Sequence, residues 1–163
     1  MPTIAVLGTL DSKGAEHAFV AEQIRARGHD AMLIDVGTGG EPEVKPEVSR
    51  FEVAAAGGID LQPILDRRDR GECVTAMTQA VPVLMAQLVE QGRIEGVISL
   101  GGGGGTAIAT AAMRVLPVGF PKLMVSTLAS GNTAPYVGTR DIVMMPSIVD
   151  VSGLNQVSRT IFT

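Results

Sequence analysis

Short apolar blocks alternate with stretches of helical spacing along the chain. Residues 3–7 form an apolar, partly β-branched run that stops at Gly8, as a strand buried on both faces would. Asp11 or Ser12 is then expected to cap a helix, with Glu16 in its first turns, Phe19, Val20 and Ile24 at helical spacing, and Gly28 as its stop. Residues 32–36 read as a second strand that runs into Gly37, Thr38, Gly39 and Gly40. Two buried strands joined by a helix predict a right-handed βαβ unit and a parallel sheet.

Farther on, Val74, Met77, Val81, Leu84 and Leu88 step at helical intervals, in a helix that Pro82 should kink or restart and Gly92 should end. Met77 and Met85 read as adaptable packing. Strands are expected at 96–100, 122–126 and 142–145, with a helix of small residues at 106–115, and residues 154–162 read as the beginning of another helix. The alternation predicts an α/β fold: an open, doubly wound, mostly parallel sheet of about five strands with helices on both faces, a Rossmann-like three-layer sandwich. Residues 41–71 interrupt it with Pro42, Pro46, Gly57, Gly58 and dense charge. A mobile lid or binding loop and a solvated excursion with one or two short helices both fit that stretch.

Composition narrows the function classes. The 163 residues carry 13 basic and 17 acidic side chains, four Phe, one Tyr and no Trp. A net charge of −4 argues against a nucleic-acid partner, and so few aromatics argue against base stacking. No apolar run approaches the roughly 20 residues of a spanning helix, so no membrane contact is expected. A lone cysteine, Cys73, cannot form an internal disulfide and suits a reducing, cytoplasmic setting. Residues 1–72 hold eight basic and 13 acidic groups, whereas residues 73–163 hold five and four. The charge-poor half reads as a buried face, in contact with a second copy or a further part of the protein, or else as a surface of small residues.

The unusual sequences all fall at carboxyl ends of expected strands, where open α/β sheets bind ligands. The run Gly101, Gly102, Gly103, Gly104, Gly105 and Thr106 follows a strand and opens a helix. Consecutive glycines let a ligand approach the backbone, beside N–H groups and the positive end of a helix dipole, as a phosphate site requires. Thr9, Ser12 and Lys13 in the first loop offer hydroxyls and a cation, and Asp11 a carboxylate for Mg2+ held through water. A pure capping role for Asp11 or Ser12 stays open. Asp35 ends the second strand, where an acid in dinucleotide folds contacts ribose. Ser126, Thr127, Ser130 and Gly131 supply hydroxyls and a hinge beside the glycine run. His17 is expected on the surface of the first helix and His29 in the turn after it, which leaves no base for a Ser nucleophile. Asp141 and Asp150, two of the four acids in the charge-poor half, should each keep a specific partner, with Mg2+ one option for Asp141.

Together these motifs resemble the ATP-binding family typified by the tomato mosaic virus resistance protein. The likeness lies in Gly8-Thr9-Leu10-Asp11-Ser12-Lys13-Gly14-Ala15-Glu16, in the glycine run, in Ser126-Thr127-Leu128-Ala129-Ser130-Gly131, and in the stretch from Tyr136 to Asn155. That stretch includes Gly138-Thr139-Arg140-Asp141 and Asp150-Val151-Ser152-Gly153-Leu154-Asn155. The resemblance implies that residues 1–163 are one Rossmann-like nucleotide-binding subdomain, the N-terminal part of a longer two-subdomain protein. It also implies ATP near the glycine loops and association as a homodimer. Alternative readings are a metal-assisted phosphotransferase or hydrolase acting on a small phosphorylated metabolite, with residues 41–71 as a lid, and a non-catalytic oligomerisation scaffold.

Overall fold

The structure, a computed structural model, describes residues 1–148, 150 and 153–163. Val149 and, within the last motif, Val151 and Ser152 lie outside the described residues. Five strands, β1 (Thr3–Gly8), β2 (Asp30–Asp35), β3 (Gly96–Gly101), β4 (Lys122–Ser126) and β5 (Val143–Pro146), make one sheet in the order β2-β1-β3-β4-β5. All four pairings are parallel; Leu7 of β1, for example, faces Ile34 of β2 and Ser99 of β3. The doubly wound α/β fold of the sequence reading is present.

Alternation along each strand divides the core. Ala5, Leu7, Ile34, Val97 and Met124 face one way, into a cluster built on helices α2 (Arg50–Ala56), α3 (Leu61–Asp66), α4 (Arg70–Glu90) and α5 (Gly103–Arg114). Val6, Leu33, Leu100 and Val125 face the other way, onto α1 (Leu10–Ala26) and Phe162 of α7 (Gln156–Phe162). A short helix, α6 (Ala134–Val137), lies between β4 and β5. Met77 and Met85 are fully buried in the first cluster, as packing.

Several boundaries differ from the expected ones. α4 begins at Arg70, where Asp69 caps it by accepting from the Glu72 N–H, and it runs through Pro82 as one element without a restart. By length and composition, α4 is long and apolar enough to cross a membrane, with a mean hydropathy of 1.3 over its most apolar stretch. Here its Met77, Ala80, Val81 and Met85 are buried against the sheet and neighbouring helices. Residues 41–71 are an excursion with two short helices, α2 and α3; Ser49 opens α2 with a reciprocal capping box to Glu52. The glycine run is a helix start more than a loop, since Gly103, Gly104 and Gly105 belong to the first turn of α5.

Asp141 lies at the amino edge of the sheet. It accepts from Lys122 Nζ at 2.8 Å and from the Gly119 N–H at 2.8 Å, while Lys122 Nζ also donates to the carbonyls of Pro117 and Phe120. The Lys122 ammonium, then the Gly119 N–H, hold the Asp141 carboxyl at about 2, below the ordinary 3.8. A lowered carboxyl adds stability above its unfolded value and loses it as pH falls through the folded one. Thermal melts of the wild type are therefore expected to lose stability from pH 3.8 down to pH 2, and Asp141→Asn is expected to lack that part of the acid transition. Identical acid profiles in the two proteins would remove the pair from the account.

Candidate functional site

The chain leaves β1 for α1 on one face of the sheet and leaves β3 for α5 on the other. β1 and β3 are neighbours, so their carboxyl ends bound the crevice that a doubly wound sheet opens where its winding reverses. A cleft of about 860 Å3 lies there. Thr9, Ser12 and Lys13, Gly101 to Gly105, and Arg68 and Arg70 line it together. Leu65, Val74 and Ile108 add apolar surface, Thr38, Gly39 and Gly40 also line it, and Asp11 and Asp150 contribute carboxylates.

The glycines of the cleft form the first turn of α5. In an α-helix the first N–H groups have no carbonyl within the helix. The Thr106 N–H donates to the Gly102 carbonyl at 2.9 Å, and Gly102, the N-cap residue, makes no side-chain cap. The N–H groups of Gly103, Gly104 and Gly105 thus begin the helix without intrahelical acceptors, at the positive end of its dipole. Beneath them Thr106 and Ser126 are fully buried and joined Oγ1 to Oγ at 2.7 Å, and Ser126 Oγ also accepts from the Leu128 N–H.

Cations line the cleft beside this turn. A Cβ built at Gly104 would lie 3.4 Å from an Arg70 guanidinium nitrogen, which places that side chain over the start of α5. Arg68 has φ of 53°, a left-handed conformation that costs a non-glycine residue energy and recurs where side chains are aimed at ligands. Among the described residues, no hydrogen bond or ion pair engages the Lys13 ammonium or the guanidinium groups of Arg68 and Arg70.

The first loop is held from two directions. Asp35 is buried, and its Oδ1 accepts from the Leu10 N–H at 3.1 Å and the Gly37 N–H at 2.8 Å. Asp35 therefore caps α1 from 25 residues away, whereas the helix begins at Leu10 after Thr9 with no side-chain cap from its own residues. Burial raises the Asp35 carboxyl above its ordinary value, against those two N–H groups. Inside α1, Lys13 leaves helical geometry with φ −128° and ψ 25°. Its carbonyl lies 2.7 Å from Nδ1 of His17, a residue with no solvent exposure instead of the expected surface position.

A profile described as "Uncharacterised protein family (UPF0261) N-terminal domain" matches residues 2–163. The chain belongs to this family. A UPF0261 protein of Clostridium tetani is 46% identical over 160 residues, which cover 98% of this chain and 40% of that protein. The ToMV susceptible protein tm-1(GCR26) of Solanum lycopersicum is 32% identical over 177 residues, covering 99% of this chain and 24% of that protein. The UPF0261 domain described here thus spans less than half the length of the curated relatives it matches. The crystal structure of Acinetobacter baumannii MurG aligns with 96% of this chain and 43% of that chain, at 13% identity and a TM-score of 0.47.

Of the residues singled out in the sequence, the UPF0261 fold gathers Thr9, Asp11, Ser12, Lys13 and Gly101 to Gly105 in one cleft. Thr127 and Ser130 line a neighbouring compartment of about 440 Å3 with Ser126, Ser147 and Asp150. Thr127 Oγ1 lies 3.7 Å from a Cβ built at Gly102, and Asp150 lines both spaces. Thr106, Ser126 and Asp35 support the loops through buried hydrogen bonds, Gly131 takes part in the turn after β4, and Asp141 is at the far edge with Lys122. Sequence reading missed Arg68 and Arg70, although the cluster Arg67-Arg68-Asp69-Arg70 directly before an apolar helix was a signal for them.

Proposed function

We propose that this domain binds a nucleotide, with ATP the expected ligand, and takes its phosphates on the first turn of α5. The observation that carries the reading is that Lys13, Arg68 and Arg70, three cations without a hydrogen-bond or ion-pair partner among the described residues, line the same cleft as a helix start made of glycine. Free N–H groups, a helix dipole and cationic side chains are the elements that bind phosphate. Leu65, Val74 and Ile108 give a nucleoside an apolar wall in the same space. The choice of ATP rests on the resemblance of the loop motifs. Asp11 also lines the cleft and supplies a carboxylate that would hold the water shell of a nucleotide-borne Mg2+.

Calorimetric titration with ATP and magnesium tests the reading. Gly103 is the informative position, because a Cβ there meets nothing within 4 Å and the fold should tolerate it. The wild type is expected to show one saturable site, and Gly103→Val to bind at least about tenfold more weakly because the side chain occupies the phosphate approach. Equal affinity in both proteins would take the glycine turn out of the site.

A further inference from the structure

The two turns that line the phosphate cleft from β1 and β3 share one buried side chain. His17 reaches across from α1: the Leu100 N–H donates to its Nε2 at 3.3 Å, and its Nδ1 lies 2.7 Å from the Lys13 carbonyl. Because Nε2 is the acceptor, the proton sits on Nδ1, which donates to Lys13. Each partner is a lever on the cleft. Lys13 is the residue at which α1 leaves helical geometry, and its side chain lines the cleft. Leu100 is the residue before Gly101, where the glycine run starts. The ring fills the space over Gly8, where a Cβ would lie 2.1 Å from Nε2, so β1 closes the third side.

We propose that His17 is a positioning residue that, as the neutral Nδ1–H tautomer, sets the distance between the Lys13 turn and the glycine turn and so tunes phosphate binding. The proposal rests on the nucleotide-binding reading above. A neutral imidazole with a defined tautomer satisfies one donor and one acceptor at once; imidazolium offers two donors and would face the Leu100 N–H with another N–H. Binding is therefore expected to weaken when the ring is protonated. Burial favours the neutral form and pushes His17 below its ordinary 6.5, with the Lys13 carbonyl, the Glu16 carboxylate and the Leu7 carbonyl of β1 acting in the opposite direction. The charged side chains that bear on the ring, Glu16 and Lys13, both belong to α1, whereas β1 and β3 contain no titratable side chain.

The sign follows from the lowered value. Native stability is fully present above the unfolded value of 6.5 and declines as pH falls below it toward the folded one. Nucleotide affinity is expected to follow the same direction.

Two measurements test this. Nitrogen chemical shifts of the wild-type imidazole should report the Nδ1–H tautomer at neutral pH, with a ring that stays neutral as pH falls through 6.5. An Nε2–H tautomer, or ordinary titration at that value, would overturn the proposal without any variant. Calorimetry with ATP and magnesium should then find His17→Gln about tenfold weaker than wild type at neutral pH, since the amide cannot reproduce both ring contacts. That ratio should shrink as pH falls and the wild-type ring protonates. Wild-type affinity and an unchanged pH profile in His17→Gln, at a wild-type melting temperature, would reduce His17 to a packing residue. If the wild type binds no nucleotide, the nucleotide reading fails instead, and the tautomer measurement still reports on the strut.

Discussion

Gly8→Ala is expected to lower the melting temperature by about 10 °C. A Cβ at Gly8 would lie 2.1 Å from Nε2, 2.3 Å from Cε1 and 2.5 Å from Cδ2 of His17. Those separations are far inside van der Waals contact, and the ring has no solvent to retreat into. Rotating it away gives up the hydrogen bonds to Lys13 and Leu100 and leaves the buried Leu100 N–H without an acceptor. Overpacking and the orphaned group together cost about 3 kcal/mol. Differential scanning calorimetry reads the shift, and an unchanged melting temperature would refute the packing described for β1 and α1. The double variant Gly8→Ala with His17→Ala should recover part of the loss, because the truncated side chain makes room for the methyl. Gly40→Ala serves as reference, since a Cβ there meets nothing within 4 Å.

Removing the cleft's positive charge should have the largest effect on binding. Lys13→Ala, Arg68→Gly and Arg70→Ala are each expected to weaken ATP binding about tenfold, and the triple variant by more than about 100-fold, because each group loses a charge-assisted contact with phosphate. Wild-type affinity should fall as salt rises, and the triple variant should show a flatter dependence. These changes should spare the fold, because none of the three charged groups has a partner among the described residues. Arg68→Gly is the sharpest of them: glycine accepts a φ of 53° without strain, so stability should hold or rise while affinity drops. Titrations at two salt concentrations, with thermal melts beside them, check all of this. Unchanged affinity in the triple variant would end the phosphate assignment.

The elements and the edge that carries the loops were legible because they depend on local pattern. Apolar runs such as 3–7 and 96–100 are the length of buried strands and end in glycine, which also marks where the chain turns toward a ligand. The sheet order was not legible, since nothing local states that β1 lies between β2 and β3. Asp35 escaped for the same reason, as a helix cap that arrives from 25 residues away looks like an unattached acid. His17 was misplaced although a clue existed: with Val20, Ala21 and Ile24 it shares one face of α1, the face that packs on the sheet. The glycine run read as a loop because glycine is a poor helix former. Buried Ile108, Ala109, Ala112 and Met113 anchor α5 strongly enough to carry the helix back through three glycines.

The cleft joins residues 9–13, 68–70 and 101–105, segments that meet only when the sheet and both helical layers are assembled. An unfolded or half-folded chain has no such constellation, so a ligand that spans it binds the native state alone. Its free energy is then added in full to folding, about 2.7 kcal/mol at a ligand concentration one hundred times the dissociation constant. The lifetime of this domain against proteolysis would accordingly rise and fall with the ligand supply of the cell that makes it.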